Sequence, residues 1–296
     1  MNFLKGIGVA IITPFKTNGE IDFSAYESLI DFYVNNGISY LVILGTTGES
    51  HSVTFEEKRR IFENIKKFNR GRLPLIAGFG GNNTQNIVNE LQNYEMKNFS
   101  AILSVCPYYN KPSQTGLFEH FSHISNASPI PLILYDVPSR TGVSISNKTV
   151  LKLIEKNDNI VGIKDATGDL NKGIDLIKNT PKDFHVISGD DDTALDLVIN
   201  GGSGVISVVA GAFPSEFYKI VALVKENKIN EAKVQFKRIK IFIDLLFKEG
   251  NPSGIKALIS ILGFCENILR LPLTPVSKSL YDEIIENLKS FNKSML

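Results

Sequence analysis

The chain has 296 residues, 43% of them apolar, and 32 basic side chains against 31 acidic ones, for a net charge of +1. That length suits two ordinary domains or one α/β barrel, and so even a charge balance, with no basic block, excludes a phosphate-tracking nucleic-acid surface. Cys106 and Cys265 are far apart and outside any CxxC pair, which excludes a disulfide framework or a zinc knuckle and makes the cytoplasm the expected compartment.

The first predicted element is a strand over residues 6–14. With Lys5 before it, the segment imitates a secretion signal, but Pro14 and Lys16 interrupt it and no Ala-x-Ala-like site follows. Phe23, Tyr26, Leu29, Ile30 and Tyr33 then fall on one face of a helix opened by Asp22. A second strand over 40–45 leads to a helix with Phe55, Ile61, Phe62, Ile65 and Phe68 on its inner face, opened by Thr54 with Glu57 three residues on, the pattern of a capping box. Further strands are expected at 73–78, 101–107, 131–137, 160–164, 185–189 and 204–210, with Thr84 as the cap of the helix after the third. All eight runs are rich in Val, Ile and Leu without strict alternation, as strands buried on both faces should be. Residues 197–215 approach membrane-spanning length, but Asn200, Gly201, Gly202, Gly204 and Pro214 break them into helix, turn, strand and loop, so no membrane span is expected.

A strand and a helix repeated eight times give an α/β fold, and eight evenly spaced units favour a closed (β/α)8 TIM barrel over an open sheet. The barrel is expected over 1–225. From 226 to 296 the strand signals stop, and helices are expected at 228–248, 252–262 and 277–291, with Gly250, Gly263, Pro272 and Pro275 as punctuation. With no low-complexity linker, this C-terminal helical appendage is expected to pack on the barrel.

In such barrels the chemistry lies at the C-terminal ends of the strands. Here those ends carry Gly45-Thr46-Thr47-Gly48-Glu49-Ser50, Pro107-Tyr108-Tyr109-Asn110, Tyr135-Asp136-Val137-Pro138-Ser139-Arg140, Lys164-Asp165-Ala166-Thr167-Gly168 and Gly189-Asp190-Asp191-Asp192. A lysine at the edge of a buried strand can release the neutral amine that attacks a ketone, because desolvation disfavours the ammonium. A snorkelling lysine would show the same pattern on its own. Residues 190–192 read as a helix cap rather than a cation site, His120 and His123 as a solvated helix face, and Cys106 as core. No metal site is expected. Neither a Walker A sequence nor a GxGxxG follows the first strand, so no nucleotide cofactor is implied.

Jointly, these segments and Gly204-Val205-Ile206-Ser207-Val208 resemble the pyruvate-dependent class I aldolase superfamily of N-acetylneuraminate lyase and dihydrodipicolinate synthase, with the synthase branch the closer. The resemblance implies a Schiff-base-forming lyase without a cofactor, joining pyruvate to aspartate 4-semialdehyde in lysine and diaminopimelate synthesis. It implies that Lys164 forms the imine with pyruvate and that Tyr135 is the acid/base. Thr46 and Tyr109 would be its proton relay, with Tyr109 entering from a neighbouring subunit of a homotetramer built as a dimer of dimers. Thr47, with backbone near Thr46 and Ile206, would hold the pyruvate carboxylate, and Arg140 the carboxylate of the aldehyde. Sialic acid lyases usually lack that arginine. Asp136 and Cys106 depart from the family pattern without touching these roles. Phe55, Lys58 and Asn86 stand where lysine-inhibited relatives carry histidines and a glutamate, although Ser50, His51, Asn82 and Tyr108 could still contribute, so weak or absent feedback by lysine is expected. Another pyruvate-dependent aldolase, or a catalytically silent barrel that binds a keto acid, remain the alternatives.

Overall fold

The computed structural model describes residues 1–293, so the last three residues of the expected appendage, 294–296, lie outside the described residues. Eight parallel strands, β1 Ile7–Ala10, β2 Tyr40–Ile43, β3 Leu75–Gly78, β4 Ala101–Val105, β5 Leu132–Asp136, β6 Ile160–Asp165, β7 His185–Ser188 and β8 Gly204–Ser207, close into a barrel in chain order. All except β6 are shorter than the apolar runs that announced them. The ladder stops where the chain turns into the loops at the barrel mouth; after β8, for example, Val209–Gly211 is already a 3-10 turn.

The lack of strict alternation has its reason in two apolar layers. Tyr40, Val42, Ile133, Tyr135, Ile187 and Ile206 fill the barrel interior, while the residues between them, Leu41, Leu132, Leu134, Val186 and Val205, pack outward under the helices. Successive side chains of a strand point to opposite faces, so both sets must be apolar. Gly8 of β1 is the close approach that lets Tyr40 cross the interior: a Cβ there would lie 2.2 Å from the Tyr40 ring.

Around the barrel run α1 Phe23–Asn35, α2 Phe55–Asn69, α3 Thr84–Asn93, α4 Gln114–Ala127, a short α5 Pro138–Thr141, α6 Asn147–Lys156, α7 Leu170–Asn179, α8 Ala194–Ile199 and α9 Pro214–Lys225. Asp22 caps α1 by accepting from the backbone N–H of Ser24 and Ala25, and Thr54 with Glu57 forms a full capping box on α2. The third expected cap needs correction, because the side chain of Asn83 accepts from Asn86 N and caps α3. Thr84 instead pairs through its hydroxyl with His120 Nδ1 at 2.8 Å. That contact overturns the expectation of a solvated histidine pair. His120 is 5% exposed against α3, and burial holds its imidazole down at about 4; His123 alone faces solvent.

The C-terminal helices are α10 Ile229–Lys248, α11 Ser253–Ile261 and α12 Lys278–Lys293. Phe242, Leu246, Ile255, Leu258, Ile284 and Leu288 belong to the same buried cluster as Ile7, Val9 and Leu29, so these helices share the barrel's outer core. Among the described residues no helix is long and apolar enough to cross a membrane.

Candidate active site

Strand register brings the central pair together. Tyr135 of β5 lies opposite Lys164 of β6, so both side chains leave the sheet on the same, inner face. Lys164 is 5% exposed, and its Nζ sits 4.2 Å from the centroid of the Tyr135 ring. The path of the lysine requires a glycine just past the end of β7: a Cβ on Gly189 would lie 2.6 Å from Lys164 Cε. The neighbouring carboxylates point the other way. Asp136 is held behind the sheet by Lys172, with Ser144 Oγ donating at 2.6 Å. Asp165 accepts from Thr167 N at 3.0 Å and from Thr167 Oγ1 at 2.7 Å, and burial raises its carboxyl above the usual range.

The second piece is the turn after β2. Thr46–Gly48 forms one 3-10 turn, bracketed by two non-glycine residues in left-handed backbone, Leu44 (φ 56°) and Glu49 (φ 53°). Each costs on the order of 1–3 kcal/mol and persists only where the surroundings enforce it. Here the enforcement is an internal clamp. The buried Glu49 carboxylate pairs with the buried Lys256 of α11 and accepts from Arg270 N at 3.2 Å. Lys256 Nζ also donates to Thr13 O at 2.8 Å, and Thr13 Oγ1 donates to Gly48 O at 2.5 Å. Arg270 forms two bonds to Glu57, at 2.7 and 2.6 Å.

A cavity of about 490 Å³ opens above the barrel and is lined by Thr46, Thr47, Tyr135, Arg140, Lys164 and Asn251, among others. A second cavity of about 360 Å³ shares Thr46, Arg140 and Asn251 with it. Thr47 is buried and accepts at 3.0 Å from Asn251 Nδ2, while Arg140 Nη2 donates to Asn251 O at 3.1 Å. Lys164, Tyr135, Thr46, Thr47 and Arg140 therefore meet at one mouth. Ile206 does not line either cavity; it lies in the barrel interior, and Val208 takes its place on the wall. Tyr109 also stands apart, 84% exposed and in left-handed backbone with φ 72°.

The expected cap at residues 190–192 needs correction: Thr193 is the N-cap of α8, no side chain caps that end, and Asp190 accepts from Thr193 N and Oγ1 in the turn before it. Asp191 turns inward instead and accepts from Val208 N and Val209 N at 2.9 and 3.0 Å, tying the loop after β7 to the one after β8. Among the described residues no group of three His, Cys, Asp or Glu side chains is placed to hold a metal ion. Asn251 and Lys256 were missed in the sequence. Residues 250–252 carried only a turn signal, and nothing local ties either residue to a strand end.

An amine beside a phenol, with hydroxyls and a guanidinium around one mouth, suits covalent capture of a carbonyl compound bearing an anionic group. Residues 3–291 match the Dihydrodipicolinate synthetase family. The chain is similar to the 4-hydroxy-tetrahydrodipicolinate synthase of Flavobacterium psychrophilum, 44% identical over 96% of this chain and 97% of that one. It is also similar to the enzyme of the same name from Karelsulcia muelleri, 46% identical over 95% of both. The crystal structure of dihydrodipicolinate synthase from Aquifex aeolicus superposes with a TM-score of 0.93 at 39% identity, covering 97% of this chain and 98% of that one.

Proposed function

The chain belongs to the dihydrodipicolinate synthetase family, and on that premise we propose that it acts as a 4-hydroxy-tetrahydrodipicolinate synthase, condensing pyruvate with aspartate 4-semialdehyde through an imine on Lys164. The observation that carries the residue roles is the register pair Tyr135–Lys164, with the amine 4.2 Å from the phenol ring. Lys164 Nζ attacks the ketone carbon, and loss of water gives the protonated imine. That imine is an electron sink, so the pyruvate methyl gives up a proton and becomes an enamine nucleophile. The enamine carbon bonds to the aldehyde carbon, and the aldehyde oxygen takes a proton, for which Tyr135 is the donor at hand. The α-amine of the joined product then attacks the imine carbon, closes a six-membered ring and releases Lys164.

Thr47 holds the pyruvate carboxylate in this reading, and Arg140 grips the carboxylate of the aldehyde, a task suited to a planar two-pronged donor. Thr46 relays protons to Tyr135, and Tyr109 completes the relay of a neighbouring subunit, which requires at least a dimer and accords with a tetramer. Ile206 contributes at most through the backbone of β8.

Borohydride trapping with pyruvate, followed by mass spectrometry and turnover with aspartate 4-semialdehyde, tests the proposal. The expected result is a reduced adduct on Lys164 and turnover in the same sample. Arg140→Ala should keep the adduct and lose roughly 10- to 100-fold in kcat/KM for the aldehyde, the worth of a charge-assisted hydrogen bond. No adduct would overturn the imine; an adduct without turnover would move the aldehyde partner.

Inhibition by free lysine is expected to be weak. Lys58 Nζ pairs with Glu90 at 2.7 Å and lies 5.2 Å from the Phe79 ring centroid. Burial first and the Lys58 ammonium second hold the His51 imidazole below its usual range. Lys58 and Glu90 thus flank His51 as a closed pair, and the carboxylate on that face is already committed to a resident ammonium. An inhibition constant in the low micromolar range would contradict this.

A further inference from the structure

Asn251 stands between the two side chains assigned to carboxylates. It comes from the C-terminal region, between α10 and α11, whereas Thr47 and Arg140 come from the loops after β2 and β5. It is 7% exposed and lies on the wall of both cavities. Its Nδ2 donates to Thr47 Oγ1 and its backbone oxygen accepts from Arg140 Nη2. Its Oδ1 is buried and has no hydrogen-bond partner among the described residues.

A threonine hydroxyl carries one proton and two lone pairs. When Oγ1 accepts from the Asn251 amide, its own proton is left for another acceptor, and a carboxylate in the cavity is the acceptor that this polarity suits. A residue unable to donate from position 251 would leave the hydroxyl free to rotate. A carboxylate there would take the proton for itself. The same C-terminal segment secures the far side of the turn, because Lys256 grips Glu49 two residues beyond Thr47.

We propose that Asn251 is a positioning residue for the pyruvate site: it sets the donor sense of the Thr47 hydroxyl toward the incoming carboxylate and, through its carbonyl, holds Arg140 at the boundary between the two cavities. The inference rests on the reading of Thr47 as the pyruvate carboxylate contact.

The test is borohydride trapping of the full-length chain on Lys164 across a range of pyruvate concentrations, without the aldehyde. Asn251→Ala is expected to raise the half-saturating pyruvate concentration about tenfold, the effect of one lost hydrogen bond in a buried site, while the adduct level at saturation stays unchanged. Thr47→Val should do the same. The double variant should be no worse than Thr47→Val alone, because residues acting through one contact are not additive. Asn251→Asp, close to isosteric, keeps the test open if alanine fails to fold, and should lose at least as much. Half-saturation at the wild-type concentration in these variants, or effects that multiply in the double variant, would overturn the inference and leave the imine reading standing. A wild-type chain that gives no adduct at any pyruvate concentration would overturn both.

Discussion

Lys164 can lie along the inner face of the barrel because residue 189, just past the end of β7, has no side chain. The space a Cβ would need there is taken by Cε and Cγ of the lysine, at 2.6 and 2.7 Å, closer than non-bonded carbons tolerate, and the backbone is tied down there by the hydrogen bond from Gly189 N to Asp165 O at 2.7 Å. Gly189→Ala is therefore expected to push the amine away from Tyr135 while leaving the barrel assembled. Trapping with borohydride should fall by at least tenfold at saturating pyruvate, on the order of 1.4 kcal/mol of lost alignment. Wild-type trapping by the alanine variant would show that the lysine reaches the carbonyl by another path. Carboxylates contribute at this scale by facing away. Lys172, Ser144 and Thr167 hold Asp136 and Asp165 behind the sheet, so the amine's immediate neighbour is an aromatic ring.

Helices and loops matter here through the way they lock the turn after β2. Glu57 illustrates this, since one carboxylate closes the capping box of α2 and also receives both prongs of Arg270 from the loop after α11. Arg270, first through its hydrogen bonds, holds the Glu57 carboxyl down at about 2, from a usual value of 4.5. A carboxyl whose pKa falls on folding stabilises the folded state above its unfolded pKa and loses that contribution as the pH drops through the folded one. The stability difference between wild type and Glu57→Gln should accordingly be constant above about pH 5.5 and shrink from about pH 4.5 towards pH 2. Urea unfolding midpoints at a series of pH values measure it. A difference that persists unchanged at pH 2 would mean that packing, rather than the ion pair, is what Glu57 supplies.

At the scale of the whole molecule, Tyr109 is the residue that a single chain leaves unexplained. It combines 84% exposure with left-handed backbone, a conformation costing about 1–2 kcal/mol for a non-glycine residue, and lies away from the cavity of its own barrel. The proposed service in a neighbouring subunit would give that cost a purpose. Sedimentation velocity should show a tetramer, with turnover per subunit falling on dilution to monomers, and Tyr109→Ala should lower turnover without changing the fold. Full activity in a monomer would remove Tyr109 from the relay.

Much of this was legible in the residue order because it depends on local chemistry. Strands buried on both faces must be apolar at every position, so eight such runs were visible, and the caps at Asp22 and Thr54 are short-range hydrogen bonds between near neighbours. Lys164, Tyr135, Thr46, Thr47 and Arg140 could be placed at one mouth because a parallel barrel sends all its strand ends to the same side. Thr84 and His120 were misplaced for a complementary reason: which of two adjacent polar residues caps α3, and which side of α4 is buried, depends on how those helices pack on one another.

Asn251 and Lys256 mark the limit of what residue order reveals. Strand order, the barrel and the chemistry of its mouth follow from periodicity and residue type, which act over a few residues. The grip of Asn251 on Thr47 and of Lys256 on Glu49 spans 204 and 207 residues. Only the docking of the C-terminal helices onto the barrel decides such contacts, because a hydrogen bond between distant segments depends on where the packed core delivers its two ends.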